Sequence, residues 1–233
     1  MKTRILLRRP FPLDRFVRIL SGTGLAAALA LGSPLLAQST ERSRNHFDSD
    51  GPMRAPGFFD FVSLGAPGEA DWKVITEFNP PSAPNAVSQV LQERPGDSIA
   101  VAIRRNVSLR DGSFSLGIKV IPGRGGIVFR MVDEKNYFAL LVDPISGDAR
   151  LIQSLAGHST ELARGRAKSD RDWAVLVVRA EGPKIVATWE GKPLLEATDA
   201  SPALGKTGIA TAGPGVATFD EFVIEPKGPP GHP

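Results

Sequence analysis

Cysteine is absent from the sequence and histidine is scarce, with only His46, His158 and His232. The lack of cysteine excludes disulfide bonds and thiolate metal ligands, so the stability of the fold must come from its packed core. It also excludes a lipid anchor on an N-terminal cysteine. Two of the three histidines lie toward the ends of the chain, and zinc coordination is therefore without support.

Runs with the 3.6-residue periodicity of a helix are also lacking beyond the N-terminal segment. Short runs with two-residue alternation, broken by Gly, Pro, Asp and Asn, are present instead. In "GSFSLGIKVI" this alternation puts Phe114, Leu116 and Ile118 on one face of a strand. Turn sequences such as "DPISGD" and "WEGKP" join such runs as antiparallel neighbours. The sequence predicts an all-β protein, an antiparallel β-sandwich or barrel of about a dozen strands.

Positive charge is concentrated in the first 23 residues, which hold six Lys or Arg residues and one acidic residue, whereas the formal net charge of the whole chain is +3. The remainder is therefore mildly acidic, which excludes the broad basic surface of a nucleic-acid-binding protein. An apolar run over residues 24–37 follows the basic stretch and ends at the small residue Ala37. This order is typical of an export signal. We expect residues 1–37 to be a signal peptide that is cleaved after Ala37, and the mature protein to be periplasmic or secreted.

The apolar run is short for a bilayer span, which needs roughly 20 apolar residues. No membrane span is expected after cleavage, and an uncleaved N-terminal anchor is the alternative. Arg8 and Arg9 also leave twin-arginine export open beside general secretion.

The ends of the mature chain differ in composition from its centre. Residues 38–56 are polar, charged and aperiodic, which predicts a disordered linker. Residues 227–233, "KGPPGHP", form a proline-rich tail that cannot join a sheet ladder. The folded domain is expected at residues 57–226.

Several motifs in this domain are those of one group of β-sandwiches. They are Gly126 with Phe129-Arg130, Asp133, Asn136-Tyr137, the Trp173 strand, the Glu190-Gly191-Lys192 hairpin and Phe219-Asp220-Glu221-Phe222. The domain resembles the concanavalin A-like lectin/glucanase superfamily, in particular bacterial secreted 3-keto-disaccharide hydrolase or family-16-like domains, with laminin G-like modules more distant. The resemblance covers roughly residues 58–225. It implies a jelly roll of two curved sheets whose concave face commonly meets sugar, and such a fold hosts many functions.

The carboxylates of a family-16 glucanase are missing. Those enzymes carry Glu-x-Asp-x-x-Glu on one strand, and this chain has no such motif. The nearest acid pairs, such as Asp143 with Asp148 and Asp220 with Glu221, lie in turns or at adjacent positions that point to opposite faces of a strand. Hydrolysis usually needs two carboxylates about 5 to 10 Å apart across the scissile bond. A standard retaining glucanase is therefore not expected.

Three candidate ligand-binding residues lie on or beside strands. Tyr137 and Asp143 share one face of a strand, and Tyr137 combines an aromatic ring with a hydroxyl. His158 in "AGHST" is a candidate base or ligand contact, and the alternative is a plain turn residue.

Arg130 is the fourth candidate ligand-binding residue. In the alternating pattern it shares a face with Val128 and Val132. Its alternative role is a structural ion pair with Asp133 or Asp143 at the end of the sheet.

Calcium is the one cofactor that the sequence leaves open. Asp133, Asn136, Asp143 and Asp148 supply oxygen ligands in loops, as in related sandwiches that bind calcium. The alternative is that these side chains make the hydrogen bonds of their own turns.

The expected function is an exported domain that binds carbohydrate or cell-wall glycan without catalysis. Two alternatives remain open: a glycoside hydrolase of the 3-keto-disaccharide hydrolase type, and a laminin G-like protein-interaction module.

Overall fold

The computed structural model describes residues 39–66, 69–199 and 203–227. This part of the chain contains fifteen strands and no helix, and hence no helix that is long and apolar enough to cross a membrane. The strands are β1 (Ser43–Asn45), β2 (Phe59–Gly65), β3 (Trp72–Thr76), β4 (Asn85–Gln89), β5 (Ser98–Leu109), β6 (Gly112–Lys119), β7 (Arg124–Asp133), β8 (Asn136–Asp143), β9 (Asp148–Leu155), β10 (His158–Arg166), β11 (Trp173–Glu181), β12 (Lys184–Trp189), β13 (Lys192–Thr198), β14 (Gly205–Ala212) and β15 (Ala217–Pro226).

The strands form two sheets. One has the order β13-β12-β11-β6-β15-β4-β3, with β1 added beside β15, and is eight-stranded. The other is seven-stranded, with the order β10-β9-β8-β7-β14-β5-β2. The registered pairs are antiparallel, which confirms the expected all-β, two-sheet sandwich. β1 lies before residue 57, where the sequence predicted the domain to begin.

The main core lies between the two sheets and follows the alternation of the sequence. Phe114, Leu116 and Ile118 of β6 are each at most 2% exposed. Phe129 of β7 connects the layers, because its ring lies 5.7 Å from that of Phe114 and 5.4 Å from that of Phe138. Each such buried side chain contributes about 1.5 to 3 kcal/mol. A core of this extent can hold the fold together without disulfide bonds.

A second apolar cluster lies on the opposite side of the seven-stranded sheet, facing away from the main core. Strand β8 shows the division, since Phe138 and Leu140 belong to the main core whereas Tyr137 and Leu141 belong to the second cluster. The cluster also takes in residues from β2, β5, β7 and β14. We call this surface the outer face of the seven-stranded sheet, and it forms the floor of the site described below.

The prediction of a disordered linker over residues 38–56 is wrong for the described residues 39–56. Ser43–Asn45 pair with β15, and Arg44 donates two hydrogen bonds to Glu221. Phe47 is 4% exposed and packs into the main core. A three-residue polar strand followed by a single buried phenylalanine has no periodicity, so composition alone could not reveal it. Residues 1–37 and 228–233, most of the predicted signal and tail, lie outside the described residues.

Candidate functional site

A cavity of about 260 Å³ opens on the outer face of the seven-stranded sheet. We call this cavity the groove. Its apolar lining consists of Ile99, Leu141, Ile152 and Ala212. Its polar lining consists of Asp97, Arg124, Tyr137, Asp148, Arg150 and Ser159. Apolar floors with a few placed polar groups are typical of small-ligand sites.

Strand register brings these residues together from distant parts of the sequence. Leu141 of β8 lies opposite Arg150 of β9, so the two side chains share the outer face. On the other side of β8, Ala212 of β14 pairs both with Arg124 of β7 and with Ile99 of β5. The groove therefore runs across the strands, with neighbouring strands about 4.8 Å apart.

Arg150 is held in place by a network of charges on β9 and β10. Its Nε donates to Asp148 at 2.6 Å and lies 3.9 Å from Glu161. Arg164 in turn donates to Glu161 at 3.0 Å, and this hydrogen bond lowers the pKa of the Glu161 carboxyl. Both carboxylates on this wall of the groove are therefore engaged in ion pairs.

Four polar side chains of the groove, those of Asp97, Arg124, Tyr137 and Ser159, have no partner in the described structure. The Tyr137 hydroxyl makes no hydrogen bond, although the residue is only 4% exposed. Arg124 and Asp97 are exposed and have no ion-pair or hydrogen-bond partner for their side chains among the described residues. These groups are available to a ligand.

A larger and more open depression of about 720 Å³ lies beside the N-terminal segment and the end of β5. Three of its arginines, Arg42, Arg44 and Arg105, are already paired with acidic residues at 2.6 to 3.1 Å. These arginines are therefore already engaged with carboxylates outside the lining, and the groove is the better candidate site.

Of the four predicted site residues, only Tyr137 lines the groove. Asp143 accepts hydrogen bonds from the backbone amides of Ile145 and Ser146 and so stabilises the β8–β9 turn. His158 is exposed at the start of β10, directly after the turn residue Gly157. Neither residue lines the groove: Asp143 acts as a turn residue, and His158 pairs with Leu155 as the first residue of β10.

The prediction that Arg130 contacts a ligand is wrong, because its side chain is completely buried. Arg130 instead forms structural ion pairs, which was the alternative interpretation, but its partners are not Asp133 or Asp143. Arg130 donates to Asp199 at 3.0 Å and to Asp111 at 3.3 Å. It also donates to the backbone carbonyls of Arg110 and Gly182, at 2.8 and 2.7 Å.

A bulge in β7 explains this placement of Arg130. The backbone of Arg130 has a φ of 49°, and the register of β7 with β8 shifts between Phe129 and Asp133. Phe129 and Arg130 are consequently both buried, although they are adjacent in the strand. Gly205 permits the bulge, since a Cβ there would collide with the backbone of Arg130.

The four residues that the sequence offers as calcium ligands are engaged in other contacts. Asp133 accepts from the backbone of Lys135 and from the Asn136 side chain, and these hydrogen bonds lower the pKa of Asp133. Asp148 is paired with Arg150. Within the described residues, no group of three or more His, Asp or Glu side chains is arranged to hold a metal ion.

A further polar cluster lies on the eight-stranded sheet and centres on Asp220, which is fully buried. Its carboxylate accepts from the backbone amides of Ser82, at 2.6 Å, and Glu221, at 2.7 Å. Burial nevertheless raises the pKa of Asp220 to about 7, and the neighbouring Glu221 and Asp48 act in the same direction. The Ser82 hydroxyl donates to Asp48 and not to His46, so these residues do not form a nucleophile with its base.

Asp48 behaves in the opposite way to Asp220. Burial by itself would raise the pKa of Asp48. Hydrogen bonds from the Ser82 hydroxyl and the Asn85 backbone amide outweigh this effect and lower the pKa. The two carboxylates are thus linked through Ser82 but titrate in different pH ranges.

The sequence reasoning missed Arg124, Arg150 and Asp97 as site residues. Arg150 could have been found, because the "DPISGD" turn pairs Asp143 with Asp148 and therefore Leu141 with Arg150. Asp97 and Arg124 meet the groove only through long-range pairing with β14, for which the sequence has no local signal.

Comparison with solved structures supports the fold. The chain is similar to the carbohydrate-binding module CBM66 from Bacillus subtilis, with 17% identity, a TM-score of 0.54, and 72% of this chain and 97% of that chain covered. A β-glucanase of Bacillus licheniformis matches with 8% identity and a TM-score of 0.54, over 82% of this chain and 100% of that one. The exoplasmic/lumenal domain of VIP36, in its Ca²⁺/Man₃GlcNAc-bound form, matches with 17% identity and a TM-score of 0.51, over 73% and 91%.

No protein-family model matches the chain, and no curated protein matches its sequence. The structural neighbours show that the chain has a jelly-roll β-sandwich fold, the fold that the motifs of the sequence indicated.

Proposed function

We propose that this protein binds a glycan in the groove and does so without catalysis. The observation that carries the proposal is the combination of an apolar floor with unengaged polar groups, among them those of Tyr137, Arg124 and Asp97. Sugars present both apolar ring faces and dense hydroxyl groups. They therefore need an apolar surface beside free donors and acceptors, which the groove supplies.

Size and fold are consistent with this proposal. Small-molecule sites usually begin at about 300 Å³, and the groove, at about 260 Å³, suits one or two sugar rings. Two structures that share the fold are a carbohydrate-binding module and a lumenal domain with a bound mannose glycan. Because their sequence identity to this chain is low, their ligand-binding residues are not assigned to positions of this chain.

Replacing Tyr137 by phenylalanine tests the site. We expect glycan affinity to fall threefold to tenfold, because one hydrogen bond between neutral groups contributes about 0.5 to 1.5 kcal/mol. The free energy of unfolding should change by less than about 0.5 kcal/mol, since the hydroxyl has no partner in the described structure. Isothermal titration calorimetry against a glycan panel and thermal unfolding measure the two quantities.

The matched control is Ser115→Ala, which removes a hydroxyl from β6 on the other sheet. It should leave glycan affinity unchanged. Equal losses in both variants, or no loss in Tyr137→Phe, would place the binding site elsewhere.

The groove also holds two carboxylates, Asp97 and Asp148, and glycoside hydrolysis is therefore the second candidate function. Asp148 is tied to Arg150 at 2.6 Å, which favours binding over catalysis. Product analysis of the same incubations separates the two candidates. Release of a sugar product that stops in Asp148→Asn, with the fold retained, would favour the hydrolase.

We further propose that the protein is exported and loses residues 1–37. The basic stretch followed by an apolar run that ends at Ala37 supports this proposal. Protein recovered from the periplasm or medium should begin at Gln38, as read by N-terminal sequencing or intact mass. Recovery of the full-length chain only in the cytoplasm would contradict export.

A further inference from the structure

One end of the groove carries positive charge that the protein does not neutralise by direct pairing. Arg124 lies in the lining there, and Arg94 lies behind the wall. Neither guanidinium has a carboxylate partner among the described residues. Arg150, at the other side of the groove, is by contrast paired with Asp148.

Arg94 is unusual because it is 6% exposed and still lacks a counter-ion. Its Nη2 donates to the Ser98 hydroxyl at 3.1 Å and its Nη1 to the Thr211 carbonyl at 3.4 Å, whereas its Nε has no partner. Ser98 and Thr211 adjoin the lining residues Ile99 and Ala212. Burial lowers the pKa of Arg94, but an arginine stays protonated at neutral pH.

A buried charge acts over a longer distance than an exposed one, because little water lies around it to screen it. Arg94 therefore adds positive charge beside Ser98 and Thr211, the chain neighbours of the lining residues Ile99 and Ala212. The paired charges Arg150 and Asp148 largely cancel each other. Asp97 is the one carboxylate of the lining without a cationic partner, and it lies exposed at the rim.

We infer that the groove prefers an acidic glycan, one that carries a carboxylate or sulfate group, and that Arg124 binds this group. The inference rests on the proposed function and names the class of its ligand. A guanidinium can donate two parallel hydrogen bonds to a carboxylate or sulfate, a geometry that a neutral hydroxyl cannot match.

Matched acidic and neutral ligands test the preference. Oligosaccharides of a hexuronic acid are compared by calorimetry with their methyl esters, and a sulfated neutral oligosaccharide forms a third arm. We expect at least tenfold tighter binding of one acidic arm than of the methyl ester, and an affinity that falls with added salt. The acidic oligosaccharide that binds more tightly identifies the anionic group that the groove recognises.

Two variants of the groove should change the affinity for an acidic ligand in opposite directions. Arg124→Gln should abolish the preference for the acidic arm, so that the acid and its methyl ester bind with equal affinity. Asp97→Asn should tighten binding of the acidic arm several-fold, because it removes repulsion at the rim. The control is Arg179→Gln, which makes the same charge change at an exposed site on β11 of the other sheet and should leave all affinities unchanged.

Failure of this inference is distinct from failure of the proposed function. If the methyl ester binds as tightly as the acid, and Asp97→Asn weakens both, the groove binds neutral sugar and only the inference is overturned. If no acidic or neutral glycan binds at all, the proposed function is overturned together with it.

Discussion

Replacing Arg130 by methionine is expected to lower the free energy of unfolding by about 3 to 5 kcal/mol, because it removes one partner of a buried ion pair. Asp199, which accepts from Arg130, is 2% exposed. The substitution also removes the donors to the carbonyls of Arg110 and Gly182. For a domain of this size the melting temperature should fall by about 10 °C, as thermal unfolding followed by circular dichroism would show.

The same position offers a graded variant and a surface control. Arg130→Lys keeps the charge but has no planar fork to reach four acceptors, so we expect a smaller loss. Arg179→Met on the exposed surface of β11 should change stability by less than about 0.5 kcal/mol. A loss below 1 kcal/mol in Arg130→Met, combined with a loss of glycan binding, would return Arg130 to the role of ligand contact.

Stability is expected to fall as the pH rises from about 4.5 to 7.5, and Asp220 is the expected cause. The folded protein raises the pKa of Asp220 to about 7, whereas an unfolded aspartate titrates near 3.9. Below the pKa of the unfolded state, both the folded and the unfolded protein hold the proton. The contribution of Asp220 to the free energy of unfolding is then complete. Between the two values the folded state holds a proton that the unfolded state has released, so stability is lost as the pH rises. The full loss is on the order of 4 kcal/mol.

Asp220→Asn should remove most of this pH dependence, and chemical denaturation at a series of pH values measures it. The variant has a cost of its own, because an amide group must replace one of the two oxygens that accept from Ser82 and Glu221. The slope of stability against pH is therefore the quantity to compare. Asp170→Asn, an exposed carboxylate, serves as the control and should keep the wild-type slope. An unchanged slope in Asp220→Asn would show that Asp220 is already charged in this range.

The fold could be predicted largely from the sequence because its signals are local. Alternation along β6 sets the buried face of Phe114, Leu116 and Ile118, and the turn "DPISGD" sets the pairing of β8 with β9. β1 could not be predicted, because it is held by backbone pairing with β15, which lies about 180 residues away in the chain.

Arg130 shows why the site was predicted less well than the fold. Strict alternation puts Phe129 and Arg130 on opposite faces, but the bulge at φ 49° buries both. The bulge depends on Gly205 of β14, and the partners of the arginine come from three other segments. The groove likewise forms only through long-range strand pairing. Tyr137 could be predicted as a site residue because the alternation of its own strand, β8, is enough to assign its face.

The central claim is that the outer face of the seven-stranded sheet binds glycan, and chemical-shift mapping tests it most directly. Backbone amide shifts are recorded while an acidic or neutral oligosaccharide is titrated into the isotope-labelled protein. We expect the largest changes at the groove, at Leu141, Arg150 and Ser159. Changes confined to the outer surface of the eight-stranded sheet, around Ser115 and Arg179, would contradict it.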